Sequence, residues 1–293
     1  MPETGGGMAK IMSTSIAEAF GLPALYDPTG IIEEHERLID STLVDAQAVT
    51  TMTPLKFNPD MDSETVSYLL RGEPLQVLGE KGPWQLVVST IDGYLGWVDQ
   101  SAVSIDVQEP THRVSAPLGH IYSAPDLKSN PASTFVMGSY VRVAGSAQNQ
   151  FMPLDTGGWI FEKHLAVVGD YADDPVLVAE SLIGAPYLWG GRSSLGIDCS
   201  GLVQMALASC GHRVHRDSWA QFHSLGRPLK KTEVPGRGDL AFFPGHVGWL
   251  LDNVHLLHAN ATNMAVTIDT VEQVTGWIAA ETDNPPFLGF KRL

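Results

Sequence analysis

From Gly190 to Gln204 the chain reads Gly-Gly-Arg-Ser-Ser-Leu-Gly-Ile-Asp-Cys-Ser-Gly-Leu-Val-Gln. A glycine-rich turn therefore feeds Asp198, Cys199 and Ser200 into a segment, Leu202 to Ala208, that reads as a helix. Cys199 falls at or just before the first helical turn, where unpaired backbone N–H groups and the positive end of the macrodipole favour an anion. A free thiol titrates near ~8.5 and is mostly protonated at neutral pH; this position is expected to lower that value. A sulfur held in such a place calls for a base.

The downstream sequence offers one. Leu240 to Phe243 and Val247 to Leu251 read as two strands flanking a Pro244-Gly245 turn, with His246 at the mouth of the second. Twelve residues further on, a third strand around Val254 to Ala259 carries His258. Positions in neighbouring antiparallel strands can share a face, so His258 can hold the second nitrogen of His246 and fix its tautomer. His255, three residues before His258, faces the opposite side of a strand. His212, His215 and His223 fall in a polar loop or on a helix and read as structural. A metal reading would combine His246, His255 or His258 with Asp239 or Asp252. The chain has neither a Cys-x-x-Cys nor a His-Glu-x-x-His pattern, so no metal and no cofactor are expected.

These ordered motifs, Asp-Cys-Ser-Gly-Leu-Val-Gln, Arg-Gly-Asp-Leu-Ala-Phe-Phe, Gly-His-Val-Gly and Leu-His-Ala, resemble the NlpC/P60 cell-wall cysteine peptidases. The resemblance implies a papain-like α+β fold with Cys199 as nucleophile, His246 as base and His258 in the third, polar place. It also implies that Tyr187 hydrogen-bonds in the substrate site; the alternative is a core aromatic. Asp198 and Ser200 would hold the free amine of an N-terminal L-Ala, although Asp198 could equally be a helix-capping acid whose charge opposes a thiolate. Ser218, in Arg216-Asp217-Ser218, would contribute to substrate binding, cap the helix Trp219 to Leu225, or do both.

Upstream the texture changes to short strands in a loose repeat. Gly72 aligns with Gly138, and Gly96-Trp97 with Gly158-Trp159, at offsets of 66 and 62 residues. Two five-stranded modules with a Gly-Trp closing strand account for this spacing. They resemble bacterial SH3-like (SH3b) domains. Linkers at Val107 to Arg113 and at Val168 to Pro175 divide the chain into an N-terminal segment (1–45) with a helix over Ile31 to Val44, barrels at 46–106 and 107–170, and a catalytic domain at 171–293. Asp173 or Asp174 caps the first helix of that domain, Val176 to Ile183, with Pro175 in its first turn. The expected fold is an α+β papain-like catalytic domain preceded by two small all-β SH3-like barrels. By the resemblance, the first barrel walls off one end of the cleft and offers Glu73 and Tyr94 to a ligand amine. The competing reading makes Glu73 a solvated turn residue and Tyr94 a strand aromatic.

A net charge of −15, from 18 basic and 33 acidic residues, argues against nucleic acid and against an anionic membrane surface. Cys199 and Cys210, if joined by a helix, lie about 16 Å apart, beyond the ~7 Å reach of a disulfide. A reducing compartment follows, and with no basic, apolar leader in the first residues the expected location is cytoplasmic. The resemblance then implies hydrolysis of the γ-D-glutamyl–diamino acid bond (meso-diaminopimelate or L-lysine) in peptidoglycan stem peptides. The ligand would be a small peptide, L-Ala-γ-D-Glu-diamino acid, with its amine free, as murein recycling requires. Two rivals are an amidase or acyltransferase using the same Cys–His pair, and an SH3b cell-wall peptide-binding protein with a vestigial catalytic domain. Cys preceding His disfavours the first, and retention of both residues disfavours the second.

Overall fold

The computed structural model describes residues 43–293. The helix expected over Ile31 to Val44 lies outside these residues except at its end, where Val44 begins a strand instead.

The first all-β unit comprises β1 (Val44–Ala48), β2 (Met52–Lys56), β3 (Thr65–Leu70), β4 (Pro74–Lys81), β5 (Trp84–Ser89), β6 (Leu95–Asp99) and β7 (Val103–Ser104). They form one antiparallel sheet in the order β3-β2-β6-β5-β4-β1-β7. Alternating apolar side chains, among them Leu55, Leu69, Leu75, Val87 and Val98, fill its core. The second unit contains β8 (His112–Val114), β9 (Leu118–Tyr122), β10 (Pro131–Val136), β11 (Tyr140–Val141), β12 (Phe151–Pro153), β13 (Trp159–Phe161) and β14 (Leu165–Val167). It splits into sheets β10-β9-β13-β12 and β11-β8-β14 around Val114, Ile121, Phe135 and Ile160. Each unit thus carries seven strands where the repeat suggested five, because short closing strands such as β7 leave too little periodicity to read.

The α+β region begins with α1 (Pro175–Glu180), where Asp174 accepts from the Val176 N–H at 2.8 Å and Pro175 occupies the first turn. A small ladder, β15 (Arg192–Ser193) and β16 (Gly196–Ile197), leads into α2 (Cys199–Ser209). Helix α2 is apolar almost all round and accordingly buried almost all round. After α3 (Ser218–Ser224) come β17 (Arg227–Pro228), β18 (Leu240–Phe243), β19 (His246–Leu250), β20 (His255–Asn260), β21 (Ala265–Thr270), α4 (Val271–Ala279) and β22 (Gly289–Arg292). The strands form an antiparallel sheet ordered β17-β22-β18-β19-β20-β21. Helix α2 lies against β19 and β20, its Leu202, Val203 and Ala206 packing with Val247, Trp249 and Leu257. Leu70 and Val136 from the two all-β units join this same core. Both units are therefore packed on the α+β region. Among the described residues no helix is long and apolar enough to cross a membrane.

Candidate active site

Cys199 is the first residue of α2 and is 7% exposed. The Asp198 carboxylate caps the helix by accepting the Gly201 N–H at 2.7 Å. Gly201 permits this close seating, since a Cβ there would sit 2.3 Å from the Gly191 carbonyl oxygen. Across from the helix, Cys199 Sγ lies 3.9 Å from the Gly245 carbonyl oxygen, on the turn that delivers His246. Burial, reinforced by the Asp198 charge, pushes the thiol up to about 12, against the pull of the Val247 and Ser200 N–H groups and of Arg216. This corrects the expectation of a lowered thiol pKa. The helix terminus is present, but desolvation of the sulfur outweighs it.

His246 opens β19, and its Nε2 lies 2.7 Å from His258 Nδ1, the two rings meeting edge-on at 74°. The strand register explains the meeting. Trp249 faces Leu257 and Leu250 faces Leu256, so His246 and His258 are diagonal neighbours on one face. Gly248 clears the space between them, because a Cβ there would stand 2.9 Å from His258 Cβ. Packing and the neighbouring His258 push His246 down to about 3. Burial also lowers His258, with Asp269 acting in the opposite direction. His246 Nε2 is thus engaged by His258. His255 faces away, exposed and paired with Asp252 at 2.8 Å.

An open cleft of about 420 Å³ lies over the sulfur. Tyr187, Asp198, Ser200, Ser218 and Tyr94 all line it with Cys199; His246 and His258 do not border its open volume. Burial holds the Tyr187 phenol above its ordinary value. Ser218 is also the first residue of α3, whose cap position belongs to Asp217. Glu73 is elsewhere. It is 2% exposed, spans Arg192 at 3.0 and 3.1 Å, and accepts the Leu70 N–H at 2.8 Å. The reading of Glu73 as a ligand contact is thereby corrected. Its carboxylate ties the first all-β unit to β15, because a buried acid needs a guanidinium more than it can offer itself to solvent.

Asp198 also differs from expectation. Its two oxygens meet Arg216 nitrogens at 2.9 and 2.5 Å, and it accepts the Gly190 N–H at 2.9 Å. The carboxylate is both helix cap and partner of a buried arginine, so its charge is already compensated. A further acid of the cleft is Asp217, which the sequence reading passed over. Tyr94 Oη donates to it at 3.3 Å, and burial raises its carboxyl to about 6 despite the adjacent Arg216. Glu64 and Trp189 were also missed; they border the cleft from opposite units and share a 2.9 Å hydrogen bond. Asp217 lies within the Arg-x-Ser pattern and Trp189 beside the Gly190 turn, which were the available signals. Among the described residues no group of three or more His, Cys, Asp or Glu side chains is arranged to hold a metal ion.

The NlpC/P60 family pattern matches residues 184–280, and the bacterial SH3 domain pattern matches residues 53–104. The chain is 29% identical over 254 residues to dipeptidyl-peptidase 6 of Lysinibacillus sphaericus, covering 78% of this chain and 93% of that one. It is 25% identical over 242 residues to the gamma-D-glutamyl-L-lysine dipeptidyl-peptidase of Bacillus subtilis, covering 72% and 78%. A crystal structure of an NlpC/P60 family protein from Bacillus cereus superposes with a TM-score of 0.69 at 20% identity, over 85% of this chain and 99% of that chain, and shares the fold. With a cysteine at the start of a buried helix and paired histidines on the facing sheet, this chain carries an NlpC/P60 cysteine-peptidase domain behind a bacterial SH3 domain.

Proposed function

We propose that the enzyme removes L-Ala-γ-D-Glu from peptidoglycan stem peptides, cutting the γ-D-glutamyl–diamino acid bond of substrates whose L-Ala amine is free. The observation that carries this reading is the cleft itself. It has a nucleophile at one point and, at the end walled by the first all-β unit, a half-buried acid, Asp217, under the Tyr94 hydroxyl. An ammonium there would neutralise Asp217 and lower its pKa, whereas an acylated amine would bring no charge to offset the carboxylate. The names of the two bacterial dipeptidyl-peptidase relatives support the same class of substrate. Two free cysteines fit a reducing, cytoplasmic setting and a role in recycling released murein peptides.

In the proposed reaction Cys199 and His246 rest as a neutral pair, since burial raises one and lowers the other. As Sγ attacks the γ-carbonyl carbon, its proton passes to His246 Nδ1, and the oxyanion forms near the helix start, where the Cys199 N–H can donate. Collapse breaks the C–N bond; His246 returns the proton to the leaving amine, leaving a thioester. Water, deprotonated by His246, then hydrolyses the thioester and restores the thiol.

The test is hydrolysis of L-Ala-γ-D-Glu-meso-diaminopimelate and its N-acetyl analogue, read by mass spectrometry of the products. Cleavage of the free-amine peptide with a large loss on acetylation is expected, and no cleavage by Cys199→Ala. Equal cleavage of both peptides would refute the amine requirement.

A further inference from the structure

A histidine in the orienting place must settle on a tautomer as well as an orientation. Neutral imidazole donates from one nitrogen and accepts at the other. His258 Nδ1 can therefore accept from His246 Nε2–H or donate to His246 Nε2. Only the first arrangement leaves His246 Nδ1 bare and able to take a proton from Cys199.

The contact that decides between them lies one strand further out. His258 Nε2 is 3.2 Å from Asp269 Oδ2. In the β20–β21 register His258 faces Thr267 and Leu256 faces Asp269, so Asp269 is diagonal to His258, just as His258 is diagonal to His246. The three side chains cross one face of three adjacent strands. Asp269 Oδ2 is fixed in turn by Thr267 Oγ1 at 2.7 Å and Asn263 Nδ2 at 3.2 Å. Trp277 of α4 stacks on the His258 ring at 6.4 Å and 16°, so the ring plane is also held. An ionised carboxylate can only accept, which selects the His258 tautomer with its proton on Nε2. One contact opposes this: Asn260 Nδ2 stands 3.3 Å from the same nitrogen. That amide makes its shorter bond to Thr267 Oγ1 at 2.8 Å, and the charge-assisted carboxylate contact is the stronger of the two at Nε2.

We propose that Asp269 is a positioning residue for the cysteine–histidine pair, holding the His258 proton on Nε2 so that His258 Nδ1 accepts from His246 and His246 Nδ1 stays free for the thiol. This rests on the proposed roles of Cys199, His246 and His258. During attack the proton leaves Sγ for His246 Nδ1 as the C–S bond forms. The resulting imidazolium donates through Nε2 to His258, whose own Nε2–H points at the Asp269 charge. No proton moves to Asp269.

The full-length protein labelled with ¹⁵N-histidine tests the tautomers directly by NMR, in wild type and in Cys199→Ala. His258 is expected to be protonated at Nε2 only, and His246 at Nε2 only; a His258 proton on Nδ1 would overturn the proposal whatever the activity. Asp269→Asn is expected to lower kcat by about 10–100-fold, as for carboxylates that orient a metal-bound imidazole, with KM within about twofold. In a His258→Asn background, whose amide carbonyl accepts without a tautomer to set, Asp269→Asn should cost less than about twofold. An unchanged kcat in the single variant, or the same loss in both backgrounds, would overturn it. Hydrolysis that survives in both Cys199→Ala and His246→Ala would instead remove the catalytic reading beneath it, while the tautomer result still stands or falls by its own spectrum.

Discussion

Asp198 and Arg216 form a two-pronged ion pair directly beside Cys199, with oxygen–nitrogen distances of 2.9 and 2.5 Å and an arginine side chain 1% exposed. The same carboxylate caps α2, and the same guanidinium reaches Ser67 Oγ of the first all-β unit at 3.2 Å. One pair therefore links helix start, cleft floor and interdomain contact. Arg216→Met would leave the Asp198 charge buried and unpaired, at a cost of about 3–5 kcal/mol in chemical denaturation. Adding Asp198→Asn should recover a good part of that loss. Purely additive losses would mean that the two side chains act separately.

The resting protonation of the thiol is open to direct measurement. With Cys199 pushed up to about 12, its thiolate fraction rises about tenfold per pH unit through the neutral range. Alkylation of the ligand-free enzyme by iodoacetamide, corrected for Cys210 with Cys199→Ala, should keep rising with pH without a plateau near neutrality. A rate that levels off below about pH 7 would show a preformed thiolate–imidazolium pair and contradict the neutral resting state.

Asp217 couples function to stability. Its carboxyl is raised to about 6 in the fold against an ordinary value of 3.8, so the folded protein holds that proton more tightly than the unfolded chain. Between those two values stability falls as pH rises, and above about 6 the full cost remains. Asp217→Asn should therefore raise stability at pH 7 by on the order of 1 kcal/mol, with no gain below about pH 4. The same variant should weaken binding of free-amine peptides and narrow the gap between free and acetylated ones. A gain in stability with an intact amine preference would separate Asp217 from substrate recognition.

Glu73 supplies the contrast. Its side chain and that of Arg192 are each 3% exposed, and the pair joins the first all-β unit to the catalytic domain. Glu73→Gln should lower the unfolding free energy by about 1–3 kcal/mol in chemical denaturation, the range for weakening a buried charged hydrogen bond. KM for the free-amine tripeptide should change less than with Asp217→Asn. A larger KM effect at Glu73 would return it to the substrate site.

At Gly248 a methyl group would stand 2.8 Å from Leu256 Cγ and 2.9 Å from His258 Cβ. Gly248→Ala should shift His258 and with it His246, lowering kcat by about 10–100-fold through misplacement rather than loss of a group. An unaltered kcat would show that the strand yields without moving the ring.

Local sequence carried much of the catalytic domain. Pro175 behind Asp174 marked a helix start, the glycine turn before Asp198 marked another, and Leu240 to Phe243 and the strand bearing His258 were legible as short apolar runs near the Pro-Gly turn. These are decided by residues within one or two turns of each other, through caps, fixed φ angles and period-two patterning. The facing of His258 and His255 to opposite sides followed from the same pleat. What the sequence could not decide were the partners of charged groups. Whether Asp198 is spare or bound, whether Glu73 meets ligand or Arg192, and whether Asp217 and Asp269 matter at all depend on which residues from distant segments arrive opposite them. The thiol pKa followed the same rule: its helix position was visible in fifteen residues, but its burial was created by the whole packed domain. A carboxylate or thiol takes its chemistry from its solvation and nearest charges, and only the tertiary fold sets those.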